Sequence, residues 1–228
     1  TETNEVMFAL QHSAKHKIAS NYGKSYYPSD YSPNAGWADY YGNEDFFKAY
    51  PNDDRKEWNY MTEWKIKSGE IIPYTESADK LPAISKYYDY DEGAPGKSAQ
   101  SNGITCIYRY AEVLLMYAEA STRATNSVNQ DALNAIQEVQ KRAGYQDRQI
   151  ELTTTTEPTA FLAAVSNERG WEFFAEMKRW FELVRLEKVK EVRAEEWDAS
   201  TFNTNHHYYF PVPYQQVDLA GWTNNAGY

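Results

Sequence analysis

"CIYRYAEVLLMYAEAST", Cys106–Thr122, decides the fold. Ile107, Tyr110, Ala111, Leu114, Leu115 and Ala118 recur at spacings of three and four, so an apolar stripe runs along one side of a helix. The same period returns downstream in "NQDALNAIQEVQKRAG", Asn129–Gly144. There Leu133, Ile136, Val139 and Ala143 face inward and Gly144 ends the run. A short polar turn between two such helices predicts an antiparallel hairpin. A third helical run opens near Pro158, a residue suited to a first turn, and carries Phe161, Leu162 and Val165. It continues through "NERGWEFFAEMKRWFELVRL", with Gly170 as the expected site of a bend. The tail, "FNTNHHYYFPVPYQQVDLAGWTNNAGY", reads as extended and turn-rich.

Upstream the chain changes character. "EVMFALQ", Glu5–Gln11, alternates Val6, Phe8 and Leu10 on one face and predicts a strand. "NEDFFKAY", Asn43–Tyr50, predicts a short helix capped by Asn43. "EWKIK" and "ISKYYDY" are candidate strands, and the Gly/Ser/Gln-rich "EGAPGKSAQSNG" closes the first half. The expected fold is therefore mainly α: helix hairpins, long irregular loops and a few short strands. A loop-rich part, 1–104, precedes a helical part, 105–228.

Composition narrows the function. With 228 residues the chain can bury a real core, and 42% hydrophobic with 25% charged residues is ordinary for a globular protein. A net charge of −10 makes nucleic acid, or an anionic membrane surface, a poor partner. No apolar run approaches the roughly 18 residues that a membrane span needs. Cys106 is the only cysteine, which excludes an internal disulfide and a multi-cysteine zinc site. The opening "TETNEVMFAL" has no signal-peptide pattern and reads as the start of a mature fragment or excised domain.

The acidic and basic residues of the third helical run, Glu168, Arg169, Glu172, Glu176, Arg179, Glu182 and Arg185, could supply a carboxylate pair for glycosidic-bond hydrolysis. Opposite charges interleave at helical spacing, however. That favours a partly buried ion-pair network beneath Trp171, Phe174 and Trp180. His12 and His16 stand four apart without a third ligand, and the adjacent His206 and His207 would point to opposite faces of a strand, so no metal site is expected. Phosphate-loop, nucleophile-elbow and zincin motifs are lacking, and no cofactor is expected.

"NYGKSYYPSDYSPNAGWADYY", Asn21–Tyr41, holds seven aromatic rings and no Val, Ile, Leu or Met. Tyr and Trp offer an apolar plane with a polar tip, and a sugar ring offers C–H groups on its face with hydroxyls round its edge. Trp37, Tyr31, Tyr27 and Tyr26 are the expected stacking residues, with Asp30 and Asn34 bonding the rim. Tyr40 and Tyr41, beside Phe46 and Phe47, are expected to pack the loop onto the helices instead.

Three motifs carry a resemblance to the SusD/RagB family of surface nutrient-binding lipoproteins. "YRYAEVLLMYAEA", leading into "ALNAIQEVQKRAG", resembles that family's "RyAEvlLiyAEA" helix and the "aln.iN.vR.RAG" that follows it. "NERGWEFFAEMKRWFELVR" is similar to "ERr.EfafEg.R.fDLvR", and "FPVPYQQVDLAGWTNNAGY" to the closing "lPIP..Ei..Np.l.QNpGY". "NDDRKEW" matches an upstream "D.R" element more loosely, and Gly170, Met177 and Gln140 depart from the pattern. The resemblance implies a non-catalytic protein at the outer-membrane surface, lipid-anchored in its full-length form. Such a protein captures an oligosaccharide and passes it to a SusC-like TonB-dependent transporter. It also implies a further N-terminal helical part of the parent. The rival readings are a protein–protein docking module without sugar affinity and, behind it, a glycoside hydrolase.

Overall fold

The helix hairpin forms, but its first helix starts later than the periodicity predicts. In the computed structural model, which describes residues 4–13, 15–32, 35–87, 102–192 and 208–228, Ile104–Arg109 is a strand and the helix runs Tyr110–Thr125. Ile104, Thr105, Ile107 and Tyr108 are β-branched or aromatic, and a strand partner is at hand. That partner is β1, Val6–Gln11, which pairs antiparallel with Ile104–Arg109 and aligns Val6 with Arg109 and Gln11 with Ile104. Register shifts between Val6 and Phe8 and between Phe8 and Ala9 break the expected alternation, leaving Phe8 and Leu10 exposed.

Three short helices precede the hairpin: α1, Tyr22–Tyr26; α2, Glu44–Ala49; and α3, Asp54–Asn59. The Asn43 side chain accepts the Phe46 N–H at 2.9 Å, as its capping role predicts. Asp53 does the same for α3, accepting from the N–H groups of Arg55 and Lys56. Between α3 and the hairpin lie two more antiparallel ribbons: β2, Tyr60–Met61, with β5, Ala83–Ile84, and β3, Glu63–Lys65, with β4, Ile71–Pro73, so that Ile104–Arg109 is β6. "EWKIK" is thus a strand over three residues. "ISKYYDY" is a strand only at its first residue, and residues 88–90 lie outside the described set.

The hairpin and what packs on it make the core. We number its helices α4, Tyr110–Thr125; α5, Gln130–Arg142; and α6, Pro158–Glu172. Leu115, Ile136, Phe161 and Val165 are sealed from solvent, and Ala118, Ala132 and Ala135 let the helices approach closely. Asn126 ends α4 in the left-handed region, while Asn129 opens α5 by accepting the Ala132 N–H at 2.8 Å. Gly144 takes φ +82°, which a Cβ would strain, so it stops α5 as its sequence position predicts.

The third helical run is interrupted, but not at Gly170, which lies buried inside α6. The break falls after Glu172, where Ala175 and Met177 adopt φ of 59° and 60°. Left-handed backbone costs a non-glycine residue about 1–2 kcal/mol. The turn's return is electrostatic, because it swings Glu176 onto Lys86 and Arg109 at 2.7 and 2.8 Å.

Two compact units result, Thr1–Glu176 and Met177–Tyr228. The second unit holds α7, Arg179–Arg185, and α8, Val189–Val192. The tail is not wholly extended: Tyr214–Ala220 is a helix, stopped by Gly221 at φ +68°. Asn224 and Asn225 tie it back by accepting the Val212 N–H and donating to the Phe210 carbonyl. Among the described residues no helix is long and apolar enough to cross a membrane.

Candidate functional site

Two places in the first unit gather unusual chemistry. The carboxylate cluster is the deeper one. Arg55, on α3, donates to Glu168 at 2.7 Å and Glu172 at 2.8 Å, and Arg109, ending the β6 strand Ile104–Arg109, donates to Glu5 and Glu172 at 2.6 Å each. Arg142, on α5, also reaches Glu172. Gln140 and the Tyr145 hydroxyl add bonds to Glu168. One network therefore ties the residue before β1 to α3, β6, α5 and α6.

Burial works to raise the pKa of Glu172, yet the charges of Arg109, Arg142 and Arg55 together hold it below the usual carboxylate value. Burial does win at Glu168, whose pKa lies above the usual range despite Arg55. Interleaved charge is therefore only half of the case against catalysis; the other half is access. Glu168 is 0% exposed and cannot meet a glycosidic bond. A cleft of about 370 Å³ opens beside the network, between the exposed Trp58 and Lys86, Cys106, Arg109, Arg142 and Glu176. Its charged groups bond one another. The expected scaffold is what the geometry shows.

The second place is the aromatic stretch. After α1 the chain turns at Pro28–Asp30 and comes back along itself. The Gly36 N–H donates to Pro28 O at 2.9 Å, Trp37 N–H to Lys24 O at 2.7 Å, Ala38 N–H to Tyr27 O at 3.1 Å, and Asp39 N–H to Ser25 O at 2.9 Å. Glycine is required at 36, since a Cβ there would overlap the Tyr27 carbonyl. This clamp presents Trp37, which is 52% exposed, and Lys24 sets its ammonium over the indole, 5.2 Å from the ring centre. Tyr40 is exposed as well.

The predicted rings separate into two sets. Tyr26 and Tyr27 are each 5% exposed, which corrects the expectation that they offer open faces. They form the floor: Tyr26 stacks on Tyr87 at 5.7 Å and Tyr27 meets Tyr31 at 5.4 Å. Burial, then the neighbouring Tyr22 and Tyr40, push the Tyr26 hydroxyl up to about 12. Tyr31 is half-buried, bridged to Ile66, and Asp30 accepts the Trp64 indole N–H at 2.8 Å. Tyr41 donates to Asp79 at 2.6 Å, so it packs the loop as expected, whereas Tyr40 stands out. Asn34 lies outside the described residues. Sequence reasoning missed Lys24 and Trp64, because nothing local marks a cation over a ring or an indole reaching across thirty-four residues.

His12 bonds Thr105 and the Ile18 carbonyl, His16 stands apart from it, and His206 and His207 lie outside the described residues. No group of acidic, histidine or cysteine side chains suited to a metal occurs among the described residues.

Residues 62–228 match the family described as the SusD family. SusD-like protein P2 of Formosa agariphila is 28% identical over 200 residues, 79% of this chain and 39% of that protein. A SusD superfamily protein from Parabacteroides distasonis superposes with a TM-score of 0.76 at 23% identity, over 98% of this chain and 50% of that one. Surface glycan-binding protein A from Bacteroides thetaiotaomicron, solved with laminarihexaose, gives 0.70 at 23% identity, over 97% and 52%. The chain thus spans about half or less of the length of these relatives.

Proposed function

Because the chain belongs to the SusD family, we propose that it is the ligand-facing portion of a non-catalytic surface protein that captures a neutral glycan on the Trp37 platform. The observation that carries this reading is the exposed indole in a segment held by four backbone hydrogen bonds, with Lys24 over one side of the ring. A plane fixed in advance loses little entropy when a sugar stacks on it. Lys24 occupies one side of the ring, so the sugar takes the opposite face. Tyr40 extends the apolar surface, and Tyr31 and Asp30 line the neighbouring turn. A net charge of −10 favours an uncharged glycan over a polyanionic one. The laminarihexaose held by the Bacteroides thetaiotaomicron protein supports a β-glucan as the first ligand to try.

In this reading the parent protein sits lipid-anchored at the outer-membrane surface and hands its ligand to a TonB-dependent transporter. A platform with one or two stacked rings suits that task, since each contributes about 1–3 kcal/mol, by analogy with stacked bases, and the ligand can leave. Calorimetric titration with laminarihexaose tests the reading. Binding by the native chain and its loss in Trp37→Ala are expected. Absence of binding across a glycan array, with transporter association that depends on Trp37, would replace capture by docking. Polysaccharide cleavage abolished by Glu172→Gln would replace both.

A further inference from the structure

Lys24 is a cation without a counter-charge. Its ammonium lies 5.2 Å from the centre of the Trp37 ring, and among the described residues no ion pair or hydrogen bond engages it. Acidic residues outnumber basic ones by 33 to 23, so most cations have an acid at hand. Lys48 pairs with Glu44, Lys86 with Glu176, Arg123 with Glu119 and Arg148 with Asp54. Around the platform the acids are committed elsewhere. Asp30 accepts the Trp64 indole N–H, and Asp79 accepts the Tyr41 hydroxyl. Asp39, exposed two residues past the ring, makes no ion pair with Lys24.

The backbone keeps cation and ring together. Trp37 N–H donates to Lys24 O at 2.7 Å and Asp39 N–H to Ser25 O at 2.9 Å, so the two segments run side by side. Only the side chains can turn, and the contact between ammonium and indole joins them. A positive charge is thereby fixed at the one ring that the loop holds out to solvent beside Tyr40.

We propose that Lys24 is a specificity-determining residue of this platform: its charge excludes glycans that carry protonated amino groups. The inference rests on the capture reading above and narrows its ligand class. A net charge of −10 repels polyanions, but it draws cationic oligosaccharides in with equal force. Stacking does not reject them, because a glucosamine unit offers the same C–H face as glucose. The charge met at the ring does. A sugar on the open face is separated from the ammonium by the indole and not by water, so little screens two like charges there. A site that shares its contacts between two ligands discriminates by building in such a repulsion. A neutral sugar pays no such penalty.

Calorimetric titrations with laminarihexaose and with a glucosamine hexamer, at about pH 6 where the amines are protonated, test the assignment. The native chain should favour laminarihexaose. Lys24→Met keeps the length of the side chain and removes its charge, so the affinity ratio of the two ligands should fall several-fold. Lys24→Arg should restore it. Lys141→Met deletes the same charge from an exposed position of α5 and should leave the ratio at its native value. An unchanged ratio in Lys24→Met overturns the proposal, because a residue that only braces the indole weakens both ligands alike. An equal fall in Lys141→Met also overturns it, assigning the effect to the overall field. Laminarihexaose and the glucosamine hexamer both failing to bind any of these proteins would sink the capture reading and this proposal with it; a lost ratio with neutral binding intact sinks the proposal alone.

Discussion

The aromatic stretch around residues 22–41 and the ion-pair network around Glu172 reverse the usual placement of residue types. Tyr26 and Tyr27 sit in a loop that reads as surface and are buried, whereas Asp53, Arg55, Glu168 and Glu172 belong to the most polar classes and lie in the interior. The reason is the same in both places. A tyrosine goes inside when enough ring surface surrounds it, as Tyr87 and Tyr40 do for Tyr26. A carboxylate goes inside when enough cations surround it, as three arginines do for Glu172. Partners decide burial, and the side chain's own polarity decides only how exacting those partners must be.

The sharpest way to break the network is to remove one cation from it. Arg55→Ala leaves Asp53 and Glu168 buried without their charge partner and should cost about 3–5 kcal/mol, read as a drop in the urea midpoint. A shift under about 1 kcal/mol, the size expected of a surface pair, would mean that the cluster is solvated and our account of it wrong. The loop has a steric counterpart. Gly36→Ala drives a Cβ into the Tyr27 carbonyl, and overpacking of this kind costs about 1–3 kcal/mol while displacing the Trp37 backbone. We expect both stability and glycan affinity to fall.

Trp37→Ala separates those two effects. The indole is half exposed, so its removal should leave the melting point within error while affinity drops by about 1–3 kcal/mol. Tyr26→Ala should do the reverse, losing stability first, because its ring is floor. If Tyr26→Ala spared the fold, the division into floor and platform would collapse.

Acid sharpens the contrast further. Glu172 titrates in the folded chain below its ordinary value of 4.5, so as the pH falls through about 4.5 the unfolded chain takes up protons that the native one refuses. Its contribution is fully present above that pH and is lost as pH falls through the folded-state value. Glu168, with its raised pKa, acts in the opposite sense. Glu172→Gln should therefore start less stable at pH 7 and lose less on going to pH 3; parallel declines for variant and native protein would assign the acid limb elsewhere. The smallest effect is expected at Asn43→Ala, about 1 kcal/mol for a lost helix cap and nothing in glycan binding.

Much of this was legible in the residue order. The α4–α5 hairpin, the Pro158 start, the Asn43 cap and the Gly144 stop follow from periodicity and local backbone rules, which act over three or four residues. The failures are also instructive. Residues 104–109 became a strand because Val6–Gln11, a hundred positions earlier, offered it a partner. The third helical run broke at Ala175–Met177, not at Gly170, because Glu176 had to reach Lys86 and Arg109. At the candidate site Trp37, flanked by the small Gly36 and Ala38, stands out as expected, but the stretch by itself does not mark Tyr26 as buried.

What the sequence determined alone was the α4–α5 hairpin, the starts of α2 and α6, the Gly144 stop, and the presence of a ring-rich loop and an interleaved charge run, because each depends on neighbours along the chain. Which rings became floor and which platform, and that the charges close into one buried network, was decided by the tertiary structure. Burial is a property of what arrives from far away: Tyr87 beneath Tyr26, Trp64 onto Asp30, Arg55 and Arg109 onto Glu172.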